Sequence, residues 1–198
     1  PYEQLSELLE AAGGRRRQGG RGGRRRSLGR RRTGRAHVAV VGRRPGGDVT
    51  IAAVDVKADL VAPCAPDELF AWVDDLGRYP QWLEIVPRAS SVEAHAGDPG
   101  PAWSVDLRGR LGPFARSKRL RMARTVHEPG RVRFERAEHD GRQHAPWVLS
   151  AEVTAVGGGS RLTMHLHYGG SLVGPLIERL LADEINRSKP RLLALVGA

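Results

Sequence analysis

Between residues 90 and 170 the chain is cut into six β-patterned segments by links only a few residues long. The segments are "SSVEAHA" (90–96), "AWSVDLRGRL" (102–111), "ARSKRLRMARTVHE" (115–128), "RVRFERAEH" (131–139), "QHAPWVLSAEVTAV" (143–156) and "SRLTMHLHYGG" (160–170). The links, among them "GDPGP", "EPG", "HDG" and "GGG", consist of residues that turn a chain. Parallel neighbours need a long crossover, so links this short favour successive antiparallel hairpins. The segments are therefore committed to one meandering sheet.

What flanks the meander completes the layer. "VTIAAVDVKADLV" (49–61) reads as a first strand whose phase slips. Val49 and Ile51 share one face and Val54, Val56 and Leu60 the other, which calls for a bulge near Ala52 and Ala53. A helix then opens at Ala65–Pro66, with Asp67 and Glu68 at its positive end. Its apolar stripe is Leu69, Trp72, Val73 and Leu76. Gly77 is placed to end it, and Pro80 to open a second short helix carrying Trp82, Leu83 and Val86. Residues 172–196 form a long helix with a broad apolar face, kinked or broken at Pro190. The fold class is α+β, a seven-stranded antiparallel sheet curled around a long C-terminal helix, with two short helices after the first strand.

Charge divides the chain at residue 47. The net charge of +10 points first to nucleic acid or an anionic membrane. Residues 1–47 hold 13 Arg and 3 Glu, whereas 48–198 hold 19 basic and 19 acidic residues. The excess thus belongs to a Gly/Arg-rich tail too poor in apolar groups to fold, followed by a near-neutral domain over 48–198. Nucleic acid or an acidic membrane is a candidate partner only through that tail. The single cysteine, Cys64, rules out an intrachain disulfide and fits a cytoplasmic protein. No apolar run approaches the about 18 residues needed to span a bilayer.

The aromatic cluster carries a resemblance. Ala65, Pro66, Glu68, Leu69 and Phe70, then Asp75, Tyr79, Pro80 and Trp82, followed by strands and a terminal helix, resemble the START-like helix-grip superfamily. The likeness is greatest to its polyketide cyclase/dehydrase and lipid-transport (SRPBCC) branch, and it covers residues 48–198. It implies a cavity between curved sheet and final helix that takes a hydrophobic or aromatic small molecule, such as a lipid, a quinone or a polyketide-like ligand. Carriers, sensors and polyketide aromatase/cyclases share this fold, so the resemblance leaves open whether the domain catalyses anything.

Alternation selects the side chains that face such a cavity. Trp103 and Leu107, Met122, Phe134, Trp147, and Met164 and Tyr168 each lie on the apolar face of a strand. With Trp82 from the corner and Leu176 and Leu180 from the final helix they make the candidate ligand-binding set. Asp106, Arg108, Arg110, Arg119 and Arg121 alternate with these apolar residues and should face solvent. His165 and His167 share a strand face but lack a third ligand at metal spacing, so no metal or cofactor is expected. Cys64 lacks the base and orienting group that a nucleophile needs. Catalytic residues are not identifiable from the sequence.

Overall fold

The computed structural model describes residues 37–39, 54–111, 114–169 and 175–197. Among them one sheet holds β1 (His37–Ala39), β2 (Val54–Ala62), β3 (Arg88–Val92), β4 (Ala102–Leu111), β5 (Phe114–Glu128), β6 (Arg131–Arg136), β7 (Trp147–Val156) and β8 (Gly159–Tyr168). A short helix α1 (Pro66–Phe70) and a 3-10 helix (Leu76–Gln81) separate β2 from β3, and α2 (Pro175–Val196) closes the chain. The spatial order is β1-β2-β8-β7-β6-β5-β4-β3, with every neighbouring pair antiparallel. This is the expected α+β helix-grip arrangement. β2 pairs with β8 while β3 lies at the far edge, so residues 63–87 must carry the chain across one end of the sheet. That crossing sets α1 and the 3-10 helix against the core.

The strand β1 falls inside the range read as a tail and makes the sheet eight-stranded rather than seven. It pairs His37 with Lys57 and Ala39 with Asp55, satisfying backbone groups that β2 would otherwise leave open along that edge. The rest of residues 1–53, including the bulge expected near Ala52 and Ala53, lies outside the described residues. A bulge does occur in β5, between Arg124 and Val126.

Turn chemistry fixes the hairpins. Gly130, in the β5–β6 turn, has φ +72, and a Cβ there would sit 2.7 Å from the Val153 carbonyl oxygen. The amide of Val153 donates to the Gly130 carbonyl at 2.7 Å, so the turn is pressed against β7 and only glycine fits.

The corner after β2 departs from the expected pair of helices. α1 spans only Pro66–Phe70, started by Pro66 and by the Glu68 carboxylate, which accepts the Ala65 N–H at 3.3 Å. Gly77 does not end a helix. The Asp75 side chain accepts the Gly77 N–H at 2.8 Å and starts a tighter 3-10 turn, which contains Gly77 and Pro80 and ends just before Trp82. The expected stripe nevertheless packs inward, with Leu69, Val73 and Leu76 buried. α2 continues through Pro190 as one unbroken helix. The proline leaves the Asn186 carbonyl without its helical donor.

Buried apolar side chains gather in two clusters. The larger joins Trp103, Val105, Leu120, Met122, Val132, Phe134 and Val153 of the sheet to the corner residues Leu69, Val73, Tyr79 and Trp82, and reaches Leu60, Leu162 and Leu192. The smaller is built on Val54, Val56 and Tyr168, with Trp147, Leu166, Leu181 and Ile185 against it. No described helix is long and apolar enough to cross a membrane.

Candidate functional site

The two clusters do not meet cleanly. Between them, beneath α2, lies a cavity of about 100 Å³. Its floor comes from alternate positions of two paired strands, Val56, Ala58 and Leu60 of β2 and Leu162, Met164 and Leu166 of β8, with Leu149 of β7. Strict alternation on β2, where Val54, Val56, Ala58, Leu60 and Ala62 are all buried, turns this row toward the helix. Trp82, Leu83 and Ile85 form one end wall, and Leu181, Ile185 and Leu192 of α2 form the roof. Arg191 of α2 donates to the Glu84 carboxylate, tying the roof to the end wall.

The end wall is rigid. Tyr79 is fully buried, and its hydroxyl donates to the Val73 carbonyl at 2.9 Å. Burial, together with Asp74 and Asp75, pushes its phenol above the ordinary range. The Trp82 ring leans on Tyr79 with centroids 4.8 Å apart, and its indole N–H donates to the Trp72 carbonyl at 3.3 Å. One face of Trp82 is therefore held by the corner while the residue also borders the cavity.

Polar groups enter only along α2 and the edge of β2. They are Asp59, which accepts from the Thr163 hydroxyl at 2.7 Å, and Glu184, Ser188 and Lys189. The Ser188 hydroxyl donates to the Glu184 carbonyl at 2.8 Å. Burial pulls the Lys189 ammonium below its usual pKa, against the opposing field of Asp59. Glu184 is 9% exposed. Its Oε2 accepts from Arg187, whereas its Oε1 is buried and has no partner among the described residues.

Of the ten residues selected from the sequence, Trp82 and Met164 line this cavity. Trp103, Met122 and Phe134 are packed in the larger cluster, where the Phe134 ring meets Trp103 edge-on at 5.5 Å, and Leu107 packs beside them. Trp147 and Tyr168 pair at 4.9 Å in the smaller cluster and are not among the lining residues. The side chains of Leu176 and Leu180 lie outside the described residues.

The sequence reading missed the inward cations. Lys118 shares the face of Leu120 and Met122, and Arg136 that of Val132 and Phe134. Lys118 on β5 places Nζ 5.7 Å from the Tyr168 ring on β8. With β6 and β7 between the two strands in the sheet order, that contact is made across the concave face. Burial lowers the Lys118 pKa, and Arg136 adds to the effect. Glu184 was also detectable, since Leu181, Glu184, Ser188 and Leu192 follow at helical spacing with two polar members.

The convex face carries ordinary ion pairs. Arg119 and Asp106 pair at 2.6 Å, largely exposed. Arg121 grips Asp98 at 2.6 and 2.9 Å. His165 and His167 both contact Asp55 Oδ1, at 2.9 and 3.0 Å. Burial pulls the Asp55 carboxyl up, but the bonds to His167 and His165 outweigh it and set it below its usual value. An open groove of about 430 Å³, lined by Glu93, His95, Ser104, Arg119 and Arg121 among others, also lies here. Both its arginines are already paired, so it offers less than the apolar cavity. Cys64 is half-buried with Sγ 3.7 Å from the Ser160 hydroxyl.

Comparison with known proteins agrees with this architecture. Residues 53–196 match the family model described as polyketide cyclase / dehydrase and lipid transport. A START superfamily protein from Mycobacterium smegmatis superposes with TM-score 0.56 at 16% identity, over 72% of this chain and 97% of that one. The ZhuI aromatase/cyclase from Streptomyces sp. R1128 gives 0.54 at 8% identity, over 73% and 94%. A protein from Thermus thermophilus gives 0.51 at 17% identity, over 71% and 97%. At these identities the likeness is one of fold. The search of curated proteins returned no match.

Proposed function

The chain belongs to the polyketide cyclase / dehydrase and lipid transport family, and on that premise we propose that it holds a compact, mostly apolar molecule beneath α2, as a carrier or sensor. The observation that carries this reading is the void where two hydrophobic clusters fail to close. Interiors are normally packed to crystal density, and a void forfeits dispersion contacts along its whole lining. An apolar ligand restores them. A volume of about 100 Å³ is below the roughly 300–1,000 Å³ of drug-sized sites. It suits a single ring or a short branched chain, as engineered apolar cavities of similar scale suit benzene.

Native mass spectrometry of the full chain, purified without detergent, tests the proposal. A co-purified molecule of low mass, released on denaturation, is the expected result. Protein that emerges empty and also binds neither toluene nor p-cresol at millimolar concentration contradicts it.

A second reading, a polyketide cyclase, draws support from Lys118, which lies on the same concave face outside the cavity lining. An amine whose charge is disfavoured by burial gives up its proton more readily than an exposed lysine, as a general base must, and Tyr168 beside it packs in the cluster that borders the cavity. In this reading Lys118→Met abolishes turnover of a poly-β-ketone thioester while ligand binding persists. No turnover by the unaltered protein leaves the binding role alone.

A further inference from the structure

Resting on that cavity reading, we propose that the ligand is not a pure hydrocarbon but carries one hydroxyl, which donates a hydrogen bond to Glu184 Oε1. Glu184 stands on the cavity side of α2, between Leu181 and Leu192 on the same apolar stripe. Its two oxygens have different fates. Oε2 is held by Arg187. Oε1 is closed off from water and meets no donor among the described residues.

A buried carboxylate oxygen without a donor forfeits the hydration it would keep at the surface, and native structures seldom leave one so. The neighbouring groups do not remedy this. The Ser188 hydroxyl is committed to the Glu184 backbone carbonyl. Asp59 is itself an acceptor, already used by Thr163. A ligand that only filled the void would be better served by leucine at this position. The carboxylate instead supplies an acceptor in a chamber that is otherwise mostly apolar, with Asp59, Ser188 and Lys189 as its other polar lining groups, the pattern by which apolar pockets orient a ligand. Arg187 holds Oε2, so Oε1 is the oxygen left for a ligand hydroxyl, which reaches it by a small shift of the side chain. The chemical class is therefore a small phenol or alcohol with its hydroxyl toward α2 and its hydrocarbon part against β2 and β8.

The test uses p-cresol and toluene, which differ by that hydroxyl, titrated calorimetrically into the full chain. The unaltered protein should bind p-cresol roughly tenfold more tightly, the scale of one hydrogen bond to a charged acceptor. Glu184→Leu should remove the preference or reverse it, because the hydroxyl is then buried without a partner. Glu184→Gln, close to isosteric and still carrying an acceptor oxygen, should keep part of it and guards against a misfolded leucine variant. Equal binding of both compounds by the unaltered protein, or a preference that survives Glu184→Leu, overturns the role of Glu184 while the cavity stands. Binding of neither compound overturns the cavity reading, and this proposal with it.

Discussion

The two ends of the interior obey one sequence rule and reach different outcomes. Around Phe134, alternate residues of β4, β5 and β6 meet the aromatic corner and close completely, with Val132, Phe134 and Tyr79 wholly buried. Along β2 and β8 the same alternation meets α2 and leaves a void. What differs is the size and kind of the facing residues. The tight end sets Trp103, Met122 and Phe134 against Tyr79 and Val73. The hollow end sets Ala58 and aliphatic side chains against a helix that contributes Glu184 and Ser188. Patterning decides which residues are inside, and volume decides whether the inside is full.

Truncation should expose the difference most strongly. Phe134→Ala should cost about 3–5 kcal/mol in denaturant unfolding, as expected of a fully packed aromatic ring. Met164→Ala, beside existing space, should cost about 2 kcal/mol or less. Equal losses would mean the two ends are packed alike. Enlargement is the complementary probe. Val132→Phe should destabilise by about 1–3 kcal/mol through forced strain. Ala58→Val should be neutral or stabilising by up to about 1 kcal/mol, filling space on a strand that favours β-branching. Tyr79→Phe should cost about 1–2 kcal/mol, from the buried bond to Val73 alone, without changing toluene affinity, because the corner is scaffold for the cavity wall.

The smallest effect concerns Asp98 on the convex face, which should be blind to the contrast. The Arg121 guanidinium holds its carboxyl well below the usual carboxylate range. Its stabilising effect is therefore complete above the unfolded pKa near 4 and fades as pH falls toward the lower folded value. The stability gap between the unaltered protein and Asp98→Asn should be present at pH 7 and shrink below about pH 4. A gap independent of pH would assign it to packing instead.

Much of the fold was legible because it follows from local rules. The links between strands allow little but hairpins, and β4 runs over 102–111 as its apolar pattern predicts. The corner was legible in composition but not in geometry. Nothing in "DDLGRYPQW" announces that the Asp75 carboxylate captures the Gly77 amide and starts a 3-10 turn there. The strand β1 was hidden because three residues beside an Arg/Gly-rich run carry no periodicity to read. For the site, alternation identified the concave face but not the void within it, since the seven strand residues chosen obey the same pattern and only their three-dimensional volumes separate filler from lining. Lys118, Arg136 and Glu184 sit in phase with apolar neighbours. They were passed over because each face was read from its apolar members alone.

The central claim, that the interior is split with a seam beneath α2, is tested most directly by methyl NMR of the full chain titrated with toluene. Saturable shifts should be confined to methyls lining the seam, those of Leu162, Leu166 and Ile185, while Leu120 and Val132 stay still. Shifts of equal size at Leu120 and Val132, or none anywhere at saturating toluene, would contradict it.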